Sequence, residues 1–479
     1  MKRLAVILAA LVAAAGAMAQ NAGGISAETL AEIQKGYQGT AADKAVRNAL
    51  NTTPMATLAT NAENAAMIDT HFSDVVKTKG ITNQKSSGRC WLFTGLNVLR
   101  SRAIAKYDLG EFQFSQSYVF FYDQLEKANL FLQAIIDTRA SDDDDRTVDW
   151  LFAHPLSDGG TFTGVADLVS KYGLVPAEVY PESYSAENTS AMATQLKNKL
   201  REDGLRLRQM YSEAAAKNSS LKGKKAEAAE AAVLEKLETE KVEMLKDIYH
   251  VLAICLGVPP TEFEWSMYNS KDELVGTEKY TPKSFCSKMV DYNLEDGYVM
   301  LMNDPLREYY KVYQIEYDRH VYDGHDWVYV NLPLEDIKEM AIASIKDQKA
   351  MYFSCDVAKC LDRQRGVADL ANFDYESLLG ISFGMDKAER VKTHASGSSH
   401  AMTLIAVDLK DGKPQKWMVE NSWGQTGYKG KLIMTDEWFD NYMFRLVVEK
   451  KFVPAKVLDL LNQTPVMLPA WDPMFLSEE

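Results

Sequence analysis

Apolar and polar positions follow two rhythms along this chain. After the polar loop Asn83-Gln84-Lys85-Ser86-Ser87-Gly88, Leu92, Leu96, Val98 and Leu99 recur at the spacing of an amphipathic helix, predicted over residues 89–106. Residues 112–134 continue as helix and build a helical lobe. Residues 191–253, with interleaved Glu and Lys and Ala-rich turns, predict two helices whose charged outer faces are solvated. The rhythm then changes. Stretches at 301–330, 351–357, 400–407, 416–423 and 443–449 read as strands. The predicted class is α+β, with a helical side and a sheet side about a cleft. Residues 20–64 are rich in Ala, Asn and Thr with weak periodicity, and are expected to form a loosely structured leader or surface arm.

Candidate chemistry begins at the first of these helices. Ser86-Ser87-Gly88 supplies N-cap residues, which puts Cys90 in the first turn. There the helix dipole and unpaired N–H groups favour thiolate, the nucleophilic form. Gln84 offers a side-chain amide that, beside the Cys90 N–H, would make an oxyanion hole for acyl transfer. A base is needed, and the chain has seven histidines. The strand that starts at His400 is followed by the turn signal Asp411-Gly412 and a second strand ending at Asn421-Ser422-Trp423-Gly424. A hairpin centred between Lys410 and Asp411 brings His400 beside Asn421, which would fix the ring tautomer. His394 would need its turn inside the apolar run near Val407. Cys–His–Asn is an acyl-transfer constellation that depends on proximity in space.

The blocks QKSSGRCWLF, HAMTLIAV and VENSWG resemble the three catalytic blocks of papain-like cysteine peptidases. Further stretches narrow the resemblance to the bleomycin hydrolase / aminopeptidase C family: Asp158-Gly159-Gly160, KYGLVP, Asn303-Asp304-Pro305, ASIKD, FSCDVAK, MDKAER, MTDEWF and LPAWDPM. They run in order from about residue 65 to the end.

The resemblance implies a two-lobed papain-like fold with a helical insertion and a C-terminal arm. The expected divisions are a signal peptide at 1–19, a leader at 20–64, the nucleophile-bearing helical lobe at 65–190 and the insertion at 191–260. A β-rich lobe at 261–464 and an arm at 465–479 complete them. On this resemblance Cys90 would attack the first peptide bond, His400 would move the proton, Asn421 would orient His400, and Gln84 with the Cys90 N–H would hold the oxyanion. Trp423 covers the His400–Asn421 pair. Gly159 and Gly160 let a substrate backbone pair as an added strand edge, although Thr161-Phe162-Thr163 stands where the family has Gln-Trp. The tail, stiffened by Pro469 and Pro473, would lie in the cleft. The terminal carboxylate of Glu479 would then meet the α-amine of a peptide and restrict cleavage to its N-terminus. The family also implies a homohexamer and requires no cofactor. An endopeptidase with an open cleft and a catalytically idle scaffold on the same fold are the alternatives.

Composition changes the picture at two points. The net charge is −14 with no basic block, which argues against nucleic acid as a partner. The start reads as an export signal without a membrane anchor: basic Lys2-Arg3, an apolar run over 4–15, and Ala17-Met18-Ala19 before Gln20. A periplasmic or extracellular location is expected, with the charge moving from −14 to −16 on loss of Lys2 and Arg3. Five cysteines, an odd number, suit one free nucleophile, and Cys355 and Cys360 are expected reduced. Asp142-Asp143-Asp144-Asp145 reads as a solvated acidic loop or helix start. His320 and His325, with Asp318 and Asp323 nearby, lack a second ligand pair, and no metal site is expected.

Overall fold

The computed structural model describes residues 23–64 and 69–476. These fall into two compact units, residues 23–62 with 373–382, and residues 63–372 with 383–476. In the first, α1 (Ala27–Gly36) is capped by Ser26, and α2 (Ala41–Leu50) by a Thr40/Asp43 capping box. Neither helix has a buried residue. The loosely structured leader expected from weak periodicity is therefore two capped helices. Capping satisfies the first-turn N–H groups without requiring an apolar stripe, so periodicity missed them.

The second unit holds the rest. Its helices include α3 (Cys90–Tyr107), α4 (Gln116–Asp137), α5 (Arg146–Ala153), α6 (Phe162–Tyr172), α7 (Ser190–Asn218) and α8 (Lys224–Leu256). Asp145 caps α5 by accepting from the N–H groups of Thr147 and Val148, so the acidic run ends as a helix start. Helices α3 and α6 cross closely. A side-chain carbon on Gly95 would lie 2.6 Å from Val165 Cγ2, so glycine there sets the approach.

The main sheet contains β1 (Tyr298–Met302), β2 (Lys311–Ile315), β3 (Val328–Asn331), β4 (Met351–Cys355), β5 (His400–Lys410), β6 (Lys413–Glu420), β7 (Lys431–Thr435), β8 (Met443–Glu449) and β9 (Val466–Leu468). Their spatial order is β9-β2-β3-β1-β8-β4-β5-β6-β7, followed by two short strands. β5 and β6 are buried along most of their length and read as apolar runs rather than alternations. Two hydrophobic cores result. One joins α3, α4, α6, α7 and α8, and the other packs on the sheet around Phe353, Leu404, Trp417 and Phe439. Among the described residues no helix is long and apolar enough to cross a membrane.

Candidate active site

Helix α3 begins at Cys90, which is buried. The preceding serines do not cap it. The cap residue is Arg89, which makes no side-chain cap bond. Ser87 Oγ instead donates to the Gln84 carbonyl at 2.6 Å and accepts from Arg89 Nε at 3.1 Å. Arg89 is fully buried, paired with Glu182 through both terminal nitrogens at 3.2 and 2.7 Å, and lies over the Phe93 and Phe120 rings. The helix start is thus fixed by a desolvated fork-to-fork ion pair, with the serines shaping the loop. Intrahelical bonding begins with the Leu92 and Phe93 N–H groups on the Arg89 carbonyl. The Cys90 N–H is a first-turn donor that the helix itself does not use.

His400, the candidate base, lies at the start of β5. The β5–β6 hairpin turns at Asp411 and Gly412, whose φ of 52° and 77° suit a two-residue loop. Lys410 pairs with Lys413, and Thr403 with Glu420. This centres the hairpin between Asp411 and Gly412, one position later than expected, because both loop residues sit symmetrically in the turn. Extended past Glu420, the register sets His400 opposite Trp423 and makes Asn421 its diagonal neighbour. Both reach it. His400 Nε2 is 2.8 Å from Asn421 Oδ1, and the His400 and Trp423 ring centres are 4.7 Å apart. Asn421 Oδ1 also accepts from the Ser422 N–H at 2.8 Å, which marks it as the acceptor and puts the ring proton on Nε2. Nδ1 is then the basic nitrogen. The Ala401 N–H donates to Cys90 Sγ at 3.5 Å, so the thiol lies beside the strand residue next to His400. Burial pushes the ring down to about 4, against the pull of Asn421 and with Arg363 adding to the fall.

Gln84 is anchored from both lobes. Its N–H donates to the Ser422 carbonyl at 2.8 Å, its Oε1 accepts from Ser422 Oγ at 2.6 Å, and its Nε2 donates to the Ser87 carbonyl at 2.7 Å. One amide N–H is spent on Ser87; the other is left by chemistry for a further acceptor.

The Asp158-Gly159-Gly160 segment is tied to the same loop. Asp158 Oδ2 accepts from the Gly88 N–H at 2.8 Å and from Thr189 Oγ1 at 2.6 Å, while its carbonyl accepts from Trp91 Nε1 at 2.8 Å. An apolar cavity of ≈ 100 Å³ lined by Leu130, Phe131, Trp150 and Leu156 adjoins Gly159 and Gly160. His320 and His325 are drawn to different carboxylates, Asp123 and Asp167. Among the described residues no group of three or more His, Cys, Asp or Glu is placed to hold a metal, and none of the five cysteines forms a disulfide. Asp123, Lys127 and Ser422 are given no role by the sequence, and His320 only that of a rejected metal ligand. The spacing of Asp123 and Lys127, one turn apart in the apolar α4, was the available signal for two of them.

The arm is held at several points. β9 pairs in parallel with β2, Arg146 lies 4.0 Å over the Trp471 ring, Arg307 pairs with Asp472, and Arg445 donates to the carbonyl of the buried Met474. Glu479 and the export signal at 1–19 lie outside the described residues.

Known proteins resemble this chain in sequence and fold. The model of the Peptidase C1-like family matches residues 24–475. Human bleomycin hydrolase is 41% identical over 410 residues, 83% of this chain and 86% of that protein. Aminopeptidase C of Lactobacillus delbrueckii subsp. lactis is 36% identical over 456 residues, covering 94% and 98%. The crystal structure of PepW from Lactobacillus rhamnosis superposes with a TM-score of 0.86 at 33% identity, covering 94% of this chain and 98% of that one. With relatives of this likeness over almost its whole described length, the chain belongs to the Peptidase C1-like family, among the bleomycin hydrolases and C-type aminopeptidases, and is a cysteine peptidase of papain-like fold.

Proposed function

We propose that the protein is an exported aminopeptidase in which Cys90, His400, Asn421 and Gln84 perform the chemistry on peptides. The observation that carries this is the meeting of the α3 start with the β5–β6 hairpin, where Cys90 Sγ, the His400–Asn421 pair and Gln84 converge. Burial favours a neutral imidazole, so Nδ1 takes the Cys90 proton as sulfur bonds to the scissile carbonyl carbon. The carbonyl electrons move onto oxygen, where the Cys90 N–H and the second Gln84 amide N–H stabilise them. The C–N bond breaks, and His400 returns the proton to the departing amine. Water, deprotonated by His400, then cleaves the thioester and restores the thiol.

The anchoring of the arm through Trp471, Asp472 and Met474 supports the role read for Glu479, an anionic partner for the peptide α-amine. Exposed Tyr249 and Ile254 on α8, with Val258 just beyond it, support self-association, read as a hexamer. Lys2-Arg3 and Ala17-Met18-Ala19 support export.

The deciding experiment is cleavage of aminoacyl fluorogenic amides, free and N-acetylated, under reducing conditions. Turnover of free amines alone, abolished in Cys90→Ala, is expected. Equal turnover of acetylated substrates would make it an endopeptidase, and no turnover of either would make it a scaffold. N-terminal sequencing of fractionated cells should find Gln20 first, and light scattering should give six chains.

A further inference from the structure

Behind the glycine pair lies a buried network that the proposed chemistry does not use. His320 is 2% exposed, with its ring centre 4.5 Å from that of Trp91, the residue after the nucleophile. A side-chain carbon on Gly160 would fall 2.1 Å from His320 Cε1, and one on Gly164 would fall 2.3 Å from Cδ2, so the ring occupies the space these glycines leave. His320 Nδ1 lies 2.5 Å from Asp123 Oδ1. Asp123 Oδ2 in turn accepts from Lys127 Nζ at 3.1 Å and Gln124 Nε2 at 3.0 Å. Burial works to raise the Asp123 carboxyl, yet Lys127 and His320 hold it below the usual carboxylate range. Burial and the charge of Lys127 push His320 down against the pull of Asp123. A neutral ring beside a carboxylate carries its proton on Nδ1 and presents a lone pair at Nε2. That lone pair accepts from the Thr161 N–H at 3.4 Å.

The peptide unit that carries the Thr161 N–H also carries the Gly160 carbonyl. It is trans, and in a planar trans unit the N–H and C=O point in opposite directions. Holding the N–H against His320 therefore turns the Gly160 carbonyl away from the buried network. Lys127 does the reverse next door, drawing the Gly159 carbonyl inward at 2.6 Å and the Ser157 carbonyl at 2.9 Å. The two glycine carbonyls are sorted, one inward and one outward.

We propose that His320 is a positioning residue for peptide recognition, aiming the Gly160 carbonyl to accept an N–H from the substrate backbone. The identity of the ligand rests on the aminopeptidase reading. Two readouts keep the two claims apart: turnover of a free tripeptide by the full chain, and calorimetric binding of that tripeptide to the Cys90→Ala protein. His320→Leu keeps bulk without an acceptor, and His320→Asn is too short to reach both partners. His320→Gln offers an acceptor to Thr161 and a donor to Asp123.

The Leu and Asn variants should raise KM and Kd about tenfold, the equivalent of one hydrogen bond, with kcat within about threefold. Alkylation of Cys90 by iodoacetamide, which has no peptide backbone, should keep its rate. The Gln variant should return KM and Kd to within about threefold of the parent. Unchanged Kd in a folded Leu or Asn variant would overturn the proposal. So would parallel loss of kcat and alkylation rate in all three, the mark of a merely structural role. His320-dependent binding in a protein without turnover would sink the aminopeptidase reading and leave the positioning role standing.

Discussion

His400 is placed where burial and function pull in opposite directions. Its proton affinity falls to about 4 because water is excluded, while the proposed reaction has it take a proton from Cys90. Since the folded value lies below the ordinary 6.5, the unfolded chain binds more protons between them. The associated stability is complete above pH 6.5 and is lost as pH falls through 4. The expected loss is about 3 kcal/mol over that window, and His400→Gln should lack it in urea titrations at stepped pH. The kcat/KM profile should correspondingly hold to about pH 5 before falling; a fall centred at 6.5 would contradict a buried neutral base. Asn421→Ala frees the ring tautomer and should lower kcat roughly 10- to 100-fold, part of what acid–base catalysis supplies, with little change in Tm. Cys90, Gln84, His400 and Asn421 were legible because each sits in a local pattern: a polar loop before a helix, or the ends of two strands across a turn. His320 was not, since its partner Asp123 lies 197 positions away and nothing near either residue announces the pairing.

At the scale of elements, the site depends on how α3 is held to β6. Arg100 on α3 and Glu420, the last residue of β6 and the neighbour of Asn421, form an ion pair with both side chains almost fully buried. Arg100 Nη1 and Glu420 Oε2 find no partner among the described residues, so the pair is joined there on one side only. Removing one charge leaves the other desolvated and alone. Glu420→Gln should cost about 3–5 kcal/mol in denaturant unfolding, while the double change Arg100→Met with Glu420→Leu should recover most of it. A single variant as stable as the parent would show that water already reaches the pair. The hairpin itself was readable to within one position, and the error came from assigning the turn centre without its two left-handed residues. The capped helices α1 and α2 were not readable from periodicity, since they bury no side chain that would write one.

For the molecule as a whole, the proposed restriction to N-termini rests on the tail. Its grip comes from Trp471 under Arg146, Asp472 against Arg307 and Met474 in the helical core. Deleting residues 470–479 should leave Cys90 and His400 in place while allowing N-acetylated peptides into the cleft. Mass spectrometry of a blocked peptide digest should then show internal cleavage that the full chain does not give; an unchanged digest would detach the tail from specificity.

The distance in sequence between the two halves of the site has a temporal side. Cys90 and Ala401, which touch, are separated by 311 positions. At ribosomal elongation rates of roughly 5–20 residues per second, the nucleophile is made about 15–60 seconds before its base. The last anchoring residue, Met474, follows later still. During that interval the nascent chain carries a cysteine without a catalyst, so the peptidase cannot digest its neighbours on the polysome. Nucleophile and base therefore meet only once the β5–β6 hairpin has been made.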